Sequence, residues 1–268
     1  MAEFDTKACA TLIEELTAIA ARAATVIQQC GATSLRHKAD GSPVTAADQA
    51  AEAVILQELE RLAPGIPAVS EERSAHTSAQ DQAQAHASQS GPYFLVDPLD
   101  GTREFIAGRD EFTVNIALID RGTPLLGIIA APAADLAWSG IVGRGAERMT
   151  LSDQSGRTAI RTRASPPAPV IMISRSHLDA GTKAYLAALA QGSSVSAGSS
   201  IKFCRIAEGN ADLYPRLAPT HDWDVAAGHA IVMAAGGEVR AADGSQLLYG
   251  TPKRLIPNFI ARGDQAGR

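Results

Sequence analysis

Apolar residues in the N-terminal part of the chain recur at helical spacing. Over residues 5–30 an apolar side chain returns every three or four positions, which predicts an amphipathic helix that ends at Gly31. The positions on its predicted buried face are Leu12, Leu16, Ile19, Ala23, Val26 and Cys30. A second helix is predicted to begin near Thr45 and to end before Pro64. The positions that it turns toward the core are Val54, Ile55, Leu59 and Leu62.

The middle of the chain alternates apolar with polar or small residues, which predicts strands. A short strand is expected within residues 67–72, and another in the stretch YFLVD at residues 93–97. Residues 111–149 predict three strands of an antiparallel meander, followed by a hairpin near 147–163. Residues 73–90 carry almost no large apolar side chain, so we predict an exposed, mobile loop there.

The pattern changes after the proline-rich stretch ASPPAP at residues 164–169. Strands and helices then alternate, which favours an α/β arrangement. The predicted elements are a strand in 170–175, a helix in 179–190, a strand running into a helix over 194–209, a strand in 211–216 and a helix in 221–237. We therefore predict two domains. Residues 1–163 would form an α+β domain with an antiparallel sheet, and residues 164–268 an α/β domain that completes the site.

Bulk composition excludes several classes of protein. The 268 residues suffice for a substantial core, and the net charge of −5 offers no basic field for nucleic-acid backbones. Cys9, Cys30 and Cys204 form no CxxC pair, so we expect free thiols in a reducing compartment. The N-terminus has no basic start and the chain has no long apolar run, so no signal peptide or transmembrane segment is expected. We predict a cytoplasmic protein, with a peripheral position at the inner membrane and a homodimer both left open.

Acidic residues stand where predicted elements begin or end. Glu71, Asp97 and Asp100 follow strand ends, and Asp224 lies in the first turn of a helix. Taken singly, each has an ordinary interpretation, such as a solvated turn residue or a favourable charge at a helix N-terminus. Asp48, three residues after Thr45, has the spacing of a capping box. Together, the carboxylates repel one another and require compensation as they approach a core.

The stretch between Asp97 and Asp100 suggests what compensates them. Pro98 opposes a regular continuation of the strand, and Gly101-Thr102 permits close backbone approach to an anion. Magnesium prefers hard oxygen ligands, usually a few carboxylates together with substrate oxygens and water. The six histidines show no HExxH spacing, which disfavours zinc. We therefore expect a site for Mg²⁺ and a phosphate ester.

These motifs resemble those of a known family. The stretch DPLDGTREF at 97–105 and the stretch WDVAAG at 223–228 look like the lithium-sensitive, Mg²⁺-dependent phosphatases typified by inositol monophosphatase. The similarity extends from about residue 36 to 235 and is greater to the 3′(2′),5′-bisphosphate nucleotidase branch. It implies a mixed α/β (α+β) fold of the inositol-monophosphatase and fructose-bisphosphatase type, a layered α-β-α-β-α sandwich. It also implies two to three Mg²⁺ ions.

The resemblance also implies roles for individual residues. One Mg²⁺ would bind Glu71, Asp97 and the Leu99 carbonyl, a second would bind Asp97, Asp100 and Asp224, and a third, weaker ion would depend on Glu71. Catalytic roles fall to Asp48, Thr102 and Glu71, with Asp48 and Thr102 orienting the attacking water. The residues implied in substrate binding, including those of the Gly198–Ser200 turn, are Leu99, Asp100, Gly101, Thr102, Gly198, Ser199, Ser200, Lys202, Arg216 and Asp224.

Arg216 bears most directly on the substrate. The inositol-phosphate branch carries an acidic residue near this point, whereas an arginine suits a second phosphate. Lys202 and Lys38 are further candidate phosphate contacts. The expected substrate is thus a nucleotide bisphosphate, adenosine 3′,5′-bisphosphate (PAP) or its sulfated relative PAPS. An inositol or fructose phosphatase and a non-catalytic nucleotide sensor remain alternatives. His221 and Asp222 depart from the uncharged pair usual in the branch, with no predicted role.

Overall fold

The structure is a computed structural model that describes residues 6–32, 35–38, 41–74, 91–189, 191–251 and 254–264. Most of the loop predicted at 73–90 lies outside these residues. No helix in the described ranges is both long enough and apolar enough to cross a membrane. The three cysteines are free, as expected.

Helices and strands are numbered here in chain order. The helices are α1 (Thr6–Cys30), α2 (Ala46–Leu62), α3 (Glu71–Ser74), α4 (Thr102–Ile106), α5 (Ala180–Ala188), α6 (Ile201–Ala207) and α7 (Ala226–Ala234), and a 3₁₀ turn covers Pro132–Ala134. The strands as far as the linker are β1 (Arg36–His37), β2 (Pro43–Val44), β3 (Ala68–Ser70), β4 (Tyr93–Asp100), β5 (Thr113–Asp120), β6 (Thr123–Ala131), β7 (Leu136–Ile141), β8 (Gly145–Thr150) and β9 (Thr158–Ile160). The later strands are β10 (Val170–Ser174), β11 (Ser193–Ala197), β12 (Leu213–Arg216), β13 (Thr220–His221), β14 (Glu238–Ala241), β15 (Leu255–Ile256) and β16 (Phe259–Arg262).

The N-terminal half packs two helices on a large sheet. Seven strands of the described chain form this sheet in the order β3-β4-β5-β6-β7-β8-β9, antiparallel except for the β3–β4 pair. Helices α1 and α2 cover one face, where their apolar side chains form a core with β4, β5 and β6. The predicted helices and strands are confirmed here, with shifts in the buried faces of α1 and α2. In α1, Ile27 is fully buried, whereas the expected Val26 and Cys30 are only half-buried. In α2, Ile55 and Leu59 are buried, whereas Val54 and Leu62 are only half-buried.

The C-terminal half supplies the remaining layers. Helices α6 and α7 lie between the large sheet and a second, mixed sheet with strand order β11-β10-β12-β16-β14. Helix α5 contacts β12 and adds a further helical layer, so the molecule is built as α-β-α-β-α. Strands β14, β15 and β16 were not predicted. Because β16 is antiparallel to both of its neighbours, this half is not a simple alternation of parallel strands and helices.

Strand β4 confirms the expectation for Pro98. The strand extends to Asp100, but its regular pairing with β5 is interrupted at the proline. Asp97 lies opposite Asn115 and Asp100 lies opposite Thr113, with an irregular register between them. The irregularity tolerates Pro98, which has no N–H to give to the ladder. Both aspartates are thereby carried on one rigid strand end.

Glycines bring α7 close to the large sheet. A Cβ on Gly127 of β6 would lie 2.5 Å from the Ala227 carbonyl oxygen, and one on Gly140 of β7 would lie 2.9 Å from Ile231 Cα. A Cβ on Gly228 of α7 would lie 2.3 Å from the Phe203 ring. Such contacts exclude larger residues, so helix, sheet and α6 are held at short distances. This packing places the start of α7 beside the end of β4.

Candidate active site

A cleft of about 350 Å³ opens where β4, α4, α6, β12 and α7 meet. Most of the residues predicted for the site line it. They are Glu71, Asp97, Leu99, Asp100, Gly101, Thr102, Gly198, Ser199, Lys202, Arg216 and Asp224. Two predicted residues, Asp48 and Ser200, are buried behind the lining instead.

The acidic end of the cleft gathers Glu71, Asp97, Asp100 and Asp224 from separate segments. Burial raises the pKa of Asp97 well above its ordinary value, and the charges of Glu71 and Asp100 raise it further. Burial also raises the pKa of Asp100 to about 7, with repulsion from Asp224 as the next cause. These groups therefore lie close enough to repel one another in a poorly solvated place. A cation bound among them would favour their charged forms.

Lys38 lies at this acidic end rather than among the phosphate contacts for which it was a candidate. Its Nζ atom is 2.5 Å from Glu71 Oε1 and 2.7 Å from Glu72 Oε1. Burial acts to lower the pKa of Lys38, but the attraction of Glu71 and Glu72 outweighs it and the net shift is upward. Burial raises the pKa of Glu72 to about 7, with Lys38 opposing the shift. Lys38 is thus a charged partner of both glutamates.

The carboxylates fit a metal by their chemistry, although their oxygens are engaged by protein donors. Among the residues that the structure describes, no three or more His, Cys, Asp and Glu side chains are arranged as a ready ligand set. Glu71 is held by Lys38, and Asp97 Oδ1 accepts the Leu99 N–H at 3.1 Å. Buried, mutually repelling oxygen donors are the type that suits Mg²⁺. A cation bound through Glu71 Oε1 or Asp97 Oδ1 would replace these protein donors.

Asp224 is held by the segment just before it. Its Oδ2 accepts hydrogen bonds from the Thr220 hydroxyl and from the His221 N–H, the latter at 3.1 Å. Asp222 is buried, and its Oδ2 lies 3.5 Å from Arg254 Nη1. Asp222 therefore has an ion-pair partner near the C-terminus that its position in the sequence does not reveal. Trp223, between these two aspartates, is buried.

Asp48 and Thr102 form a linked pair beneath the cleft. The Thr102 hydroxyl lies 3.0 Å from Asp48 Oδ1 and 3.2 Å from the Leu99 carbonyl oxygen. The other carboxylate oxygen, Oδ2, accepts the Thr45 N–H at 2.8 Å and completes the predicted capping box. Gly101 adopts φ 91°, and a Cβ there would lie 2.9 Å from the Glu111 carbonyl oxygen. The capping role of Asp48 is therefore compatible with a contact to Thr102.

The cleft also carries basic residues, which form what is called here its basic end. Lys202, Arg216, Arg103 and His177 all line the cleft, together with Glu104, and Lys202 is near enough to Asp100 for their charges to attract. Burial lowers the pKa of His177, and the nearby charges of Arg216 and Arg103 are the next causes. Burial lowers the pKa of Lys202 to about 8, while Asp100 opposes that shift. Arg103 and His177 were not predicted from the sequence, although Arg103 directly follows the Gly101-Thr102 pair that was expected to approach an anion.

Two buried polar atoms at this basic end lack partners. Arg216 Nε and Ser199 Oγ are inaccessible to solvent and have no hydrogen-bond partner among the described residues. Both residues line the cleft. Ser199 also adopts φ 42°, a left-handed backbone that non-glycine residues rarely occupy. Unpaired buried donors beside a cavity are what an anionic ligand would satisfy.

Ser200 requires a correction. It was predicted to contact substrate, but it is buried and its hydroxyl donates to Asn115 Oδ1 at 2.7 Å. It also lies 2.8 Å from the Thr113 hydroxyl. The Asn115 amide nitrogen lies 3.5 Å from Asp100 Oδ2, so Ser200 contacts the acidic end only through Asn115. The left-handed turn at Ser199 explains why neighbouring serines face different surroundings.

Comparisons with known proteins agree with this architecture. Residues 7–266 match the model of the inositol monophosphatase family. The chain is 48% identical over 225 residues to the 3′(2′),5′-bisphosphate nucleotidase CysQ of Shigella flexneri, covering 83% of this chain and 86% of that protein. It is 43% identical over 255 residues to the CysQ nucleotidase of Salmonella typhimurium, covering 92% and 98%.

Solved structures show the same fold. The crystal structure of CysQ from Bacteroides thetaiotaomicron, a bacterial member of the inositol monophosphatase family, superposes with a TM-score of 0.77 at 34% identity, covering 94% of this chain and 97% of that one. An inositol monophosphatase from Anabaena superposes with a TM-score of 0.74 at 25% identity, covering 96% and 92%. The predicted fold class is therefore confirmed.

Proposed function

Because the chain belongs to the inositol monophosphatase family, we propose that it is a Mg²⁺-dependent phosphatase that converts PAP to AMP and phosphate. The two relatives from Shigella flexneri and Salmonella typhimurium are both named 3′(2′),5′-bisphosphate nucleotidases. The family is generally metal-dependent. We further propose that the metal is Mg²⁺, that two to three ions bind, and that PAPS is also a substrate.

The observation that carries the proposal is the division of one cleft into an acidic and a basic end. Asp97, Asp100 and Asp224 supply the carboxylates of the cleft, and Arg216 and Lys202 supply its cations. A substrate with two phosphates can place the reacting one at the acidic end, on cations, and the other at the basic end. The unpaired Arg216 Nε supports this orientation, because a phosphate accepts such donors readily. A neutral polyol would leave this donor unpaired and desolvated.

The reaction would be a direct displacement by water. Bound Mg²⁺ would supply Lewis-acid polarisation of the phosphoryl oxygens. Asp48 and Thr102, hydrogen-bonded at 3.0 Å, would orient the attacking water, and the Gly101 backbone, which lines the cleft, would contact the phosphate. Water would add to phosphorus while the P–O3′ bond breaks, and the 3′-oxygen would take up a proton. Arg216 and Lys202 would hold the second phosphate and so fix the substrate in line.

The test is phosphate release from a panel of substrates. The purified chain with Mg²⁺ is given PAP, PAPS, inositol 1-phosphate or fructose 1,6-bisphosphate. We expect kcat/KM for PAP to exceed that for inositol 1-phosphate by roughly 100-fold, the size expected when a charged donor loses its buried partner. Rapid turnover of inositol 1-phosphate or fructose 1,6-bisphosphate with inert PAP would overturn the proposal. Binding of PAP and Mg²⁺ without any phosphate release would indicate the sensor alternative.

We also propose that the protein acts in the cytoplasm. Cys9 and Cys204 are buried free thiols, which is the state expected in a reducing compartment. Tagging the full chain and fractionating cells would test the location, and recovery with membranes after a low-salt wash would instead support the peripheral alternative.

A further inference from the structure

The ring of His221 stands at the cleft in an unusual setting. It stacks on the indole of Trp223 with the ring centroids 4.6 Å apart and the planes inclined by 10°. Trp223 is buried, whereas His221 is exposed and lines the cleft. Because the indole covers one face of the imidazole, the exposed area belongs to its other face and its edges. The cleft wall therefore contains an open aromatic surface that is supported from behind.

The backbone under this ring is held on both sides. His221 pairs with Leu255 in the two-stranded β13–β15 ladder, and its N–H donates to Asp224 Oδ2 at 3.1 Å. The next residue, Asp222, donates its N–H to the Arg254 carbonyl oxygen at 2.9 Å and pairs its carboxylate with the same residue. The ring is thus attached to a segment with little freedom to rotate away. A preformed surface of this kind lowers the cost of binding a flat ligand.

The surroundings of the ring suit an apolar, planar group. Pro219 and Leu255 line the same part of the cleft, and Leu255 is 40% exposed. Asp224 is hydrogen-bonded to the His221 N–H, whereas Asp97, Asp100 and Arg216 lie on β4 and β12. A phosphate bound at each end leaves the remaining part of a nucleotide, its base, to find a place along the wall. Of the groups in such a substrate, only the base has a π-face to offer to imidazole.

We propose that His221 is a specificity-determining residue whose open face stacks on the nucleobase of the substrate. This inference rests on the proposed function, since it assumes a nucleotide bisphosphate in the cleft. It assigns His221 no proton transfer and no metal contact. It predicts that the enzyme distinguishes a nucleotide from the same sugar bisphosphate without a base.

The experiment compares PAP with 1-deoxyribose 3,5-bisphosphate, which has both phosphates and no base. The wild type, His221→Ala and His221→Phe are assayed with both substrates in Mg²⁺. We expect His221→Ala to raise KM for PAP roughly tenfold with little change in kcat, because base stacking on an aromatic side chain is worth about that much. The same variant should leave the abasic substrate unchanged. His221→Phe, which keeps a flat ring but no N–H, should restore KM for PAP.

Other outcomes would overturn the inference. Equal losses on both substrates, or a phenylalanine variant as weak as the alanine variant, would mean that His221 acts through its nitrogens or its backbone. Calorimetric binding of AMP and ribose 5-phosphate gives a second readout that needs no turnover. Only AMP should bind more weakly to His221→Ala, and an unchanged AMP affinity would also refute stacking. If the wild type releases no phosphate from PAP yet binds AMP in this way, the proposed function fails and the stacking role stands.

Discussion

The two ends of the cleft hold their charges in different ways. At the acidic end the carboxylate oxygens are engaged by protein groups, with Lys38 on Glu71, Leu99 N–H on Asp97, and Thr220 and His221 on Asp224. At the basic end, Arg216 Nε and Ser199 Oγ are buried without partners among the described residues. A cation that takes these oxygens therefore displaces protein donors, whereas an anion at Arg216 Nε and Ser199 Oγ displaces none.

This difference predicts separate roles for the two ends in metal binding and in substrate discrimination. Exchanging a protein donor for a cation costs part of the binding energy, so affinity at the acidic end should be sensitive to small changes in geometry. Filling an unpaired buried donor removes an existing desolvation penalty, so the basic end should contribute strongly to discrimination between substrates. We expect substitutions at the acidic end to abolish turnover of every phosphate ester. Substitutions at the basic end should act only on substrates with a second anionic group.

The largest effect is expected from Asp97→Asn and Asp100→Asn. Each should lower kcat/KM for all phosphate esters by more than about 100-fold, since disturbing even the outer partners of a metal ligand costs 10- to 100-fold. Because the variants remove a repelling buried charge, Tm in EDTA should stay the same or rise. Phosphate release and differential scanning fluorimetry would measure both quantities. The control is Asp110→Asn, at an exposed aspartate, and near-normal turnover in either site variant would refute the metal assignment.

The variant Arg216→Gln should distinguish the role of the basic end from that of the acidic end. We expect kcat/KM for PAP to fall roughly 30-fold, the equivalent of about 2 kcal/mol for a lost charged hydrogen bond, while hydrolysis of 4-nitrophenyl phosphate changes less than about threefold. Arg109→Gln, at an exposed arginine on the loop after α4, serves as the matched control. A similar loss on both substrates would mean that Arg216 supports the structure rather than the second phosphate.

The acidic end was the easier one to predict from sequence. Asp97, Asp100 and Asp224 stand at element boundaries within recognisable stretches, and the Thr45–Asp48 spacing predicted the capping box that the structure contains. The pattern could not show that β4 would continue past Pro98, because a β-bulge depends on the partner strand. The spacing of residues along the sequence predicts which side chains lie on one face of a helix or strand, but only where that helix or strand is regular.

The basic end depends on contacts between distant segments. Arg103 lies in α4 and His177 in the loop after β10, on opposite sides of the linker at 164–169, and nothing local to His177 marks an anion site. The ion pair between Asp222 and Arg254 likewise joins residues whose local sequences do not suggest each other. Strands after residue 237 were missed because β14, β15 and β16 are short and depend on neighbours for their hydrogen bonds. Such features follow from tertiary packing, which overrides local propensity.

A smaller effect, on stability, is expected from pH. Burial and then the charge of Asp224 raise the pKa of Asp100 to about 7, above its ordinary value of about 4. Between these values the folded protein binds more protons than the unfolded chain, so stability falls as pH rises. In EDTA we expect Tm to drop by roughly 5 to 10 °C between pH 5 and pH 7.5, the size expected for a loss of about 2.5 kcal/mol.

Magnesium should reverse that dependence, because a bound cation favours the charged carboxylates. Saturating Mg²⁺ should therefore raise Tm more at pH 7.5 than at pH 5, as fluorimetry can show. Asp100→Asn should reduce the fall in Tm seen in EDTA, whereas the exposed-site variant Asp110→Asn should retain it. An equal slope with and without Mg²⁺ would argue against cation binding among these carboxylates.

The smallest effect is expected where the two ends are connected. The Ser200 hydroxyl donates to Asn115 Oδ1 at 2.7 Å, and Asn115 Nδ2 lies 3.5 Å from Asp100 Oδ2. Ser200→Ala should leave Asn115 Oδ1 short of a donor in a buried place, which costs about 1 kcal/mol of unfolding free energy. A less well oriented Asn115 should also weaken Mg²⁺ binding, by less than about tenfold, while KM for PAP at saturating Mg²⁺ stays unchanged. Calorimetric titration with Mg²⁺ and urea unfolding would measure the two effects, with the exposed Ser193→Ala as control. A raised KM at saturating Mg²⁺ with normal Mg²⁺ affinity would instead place Ser200 in direct contact with substrate, and the two ends would then be independent.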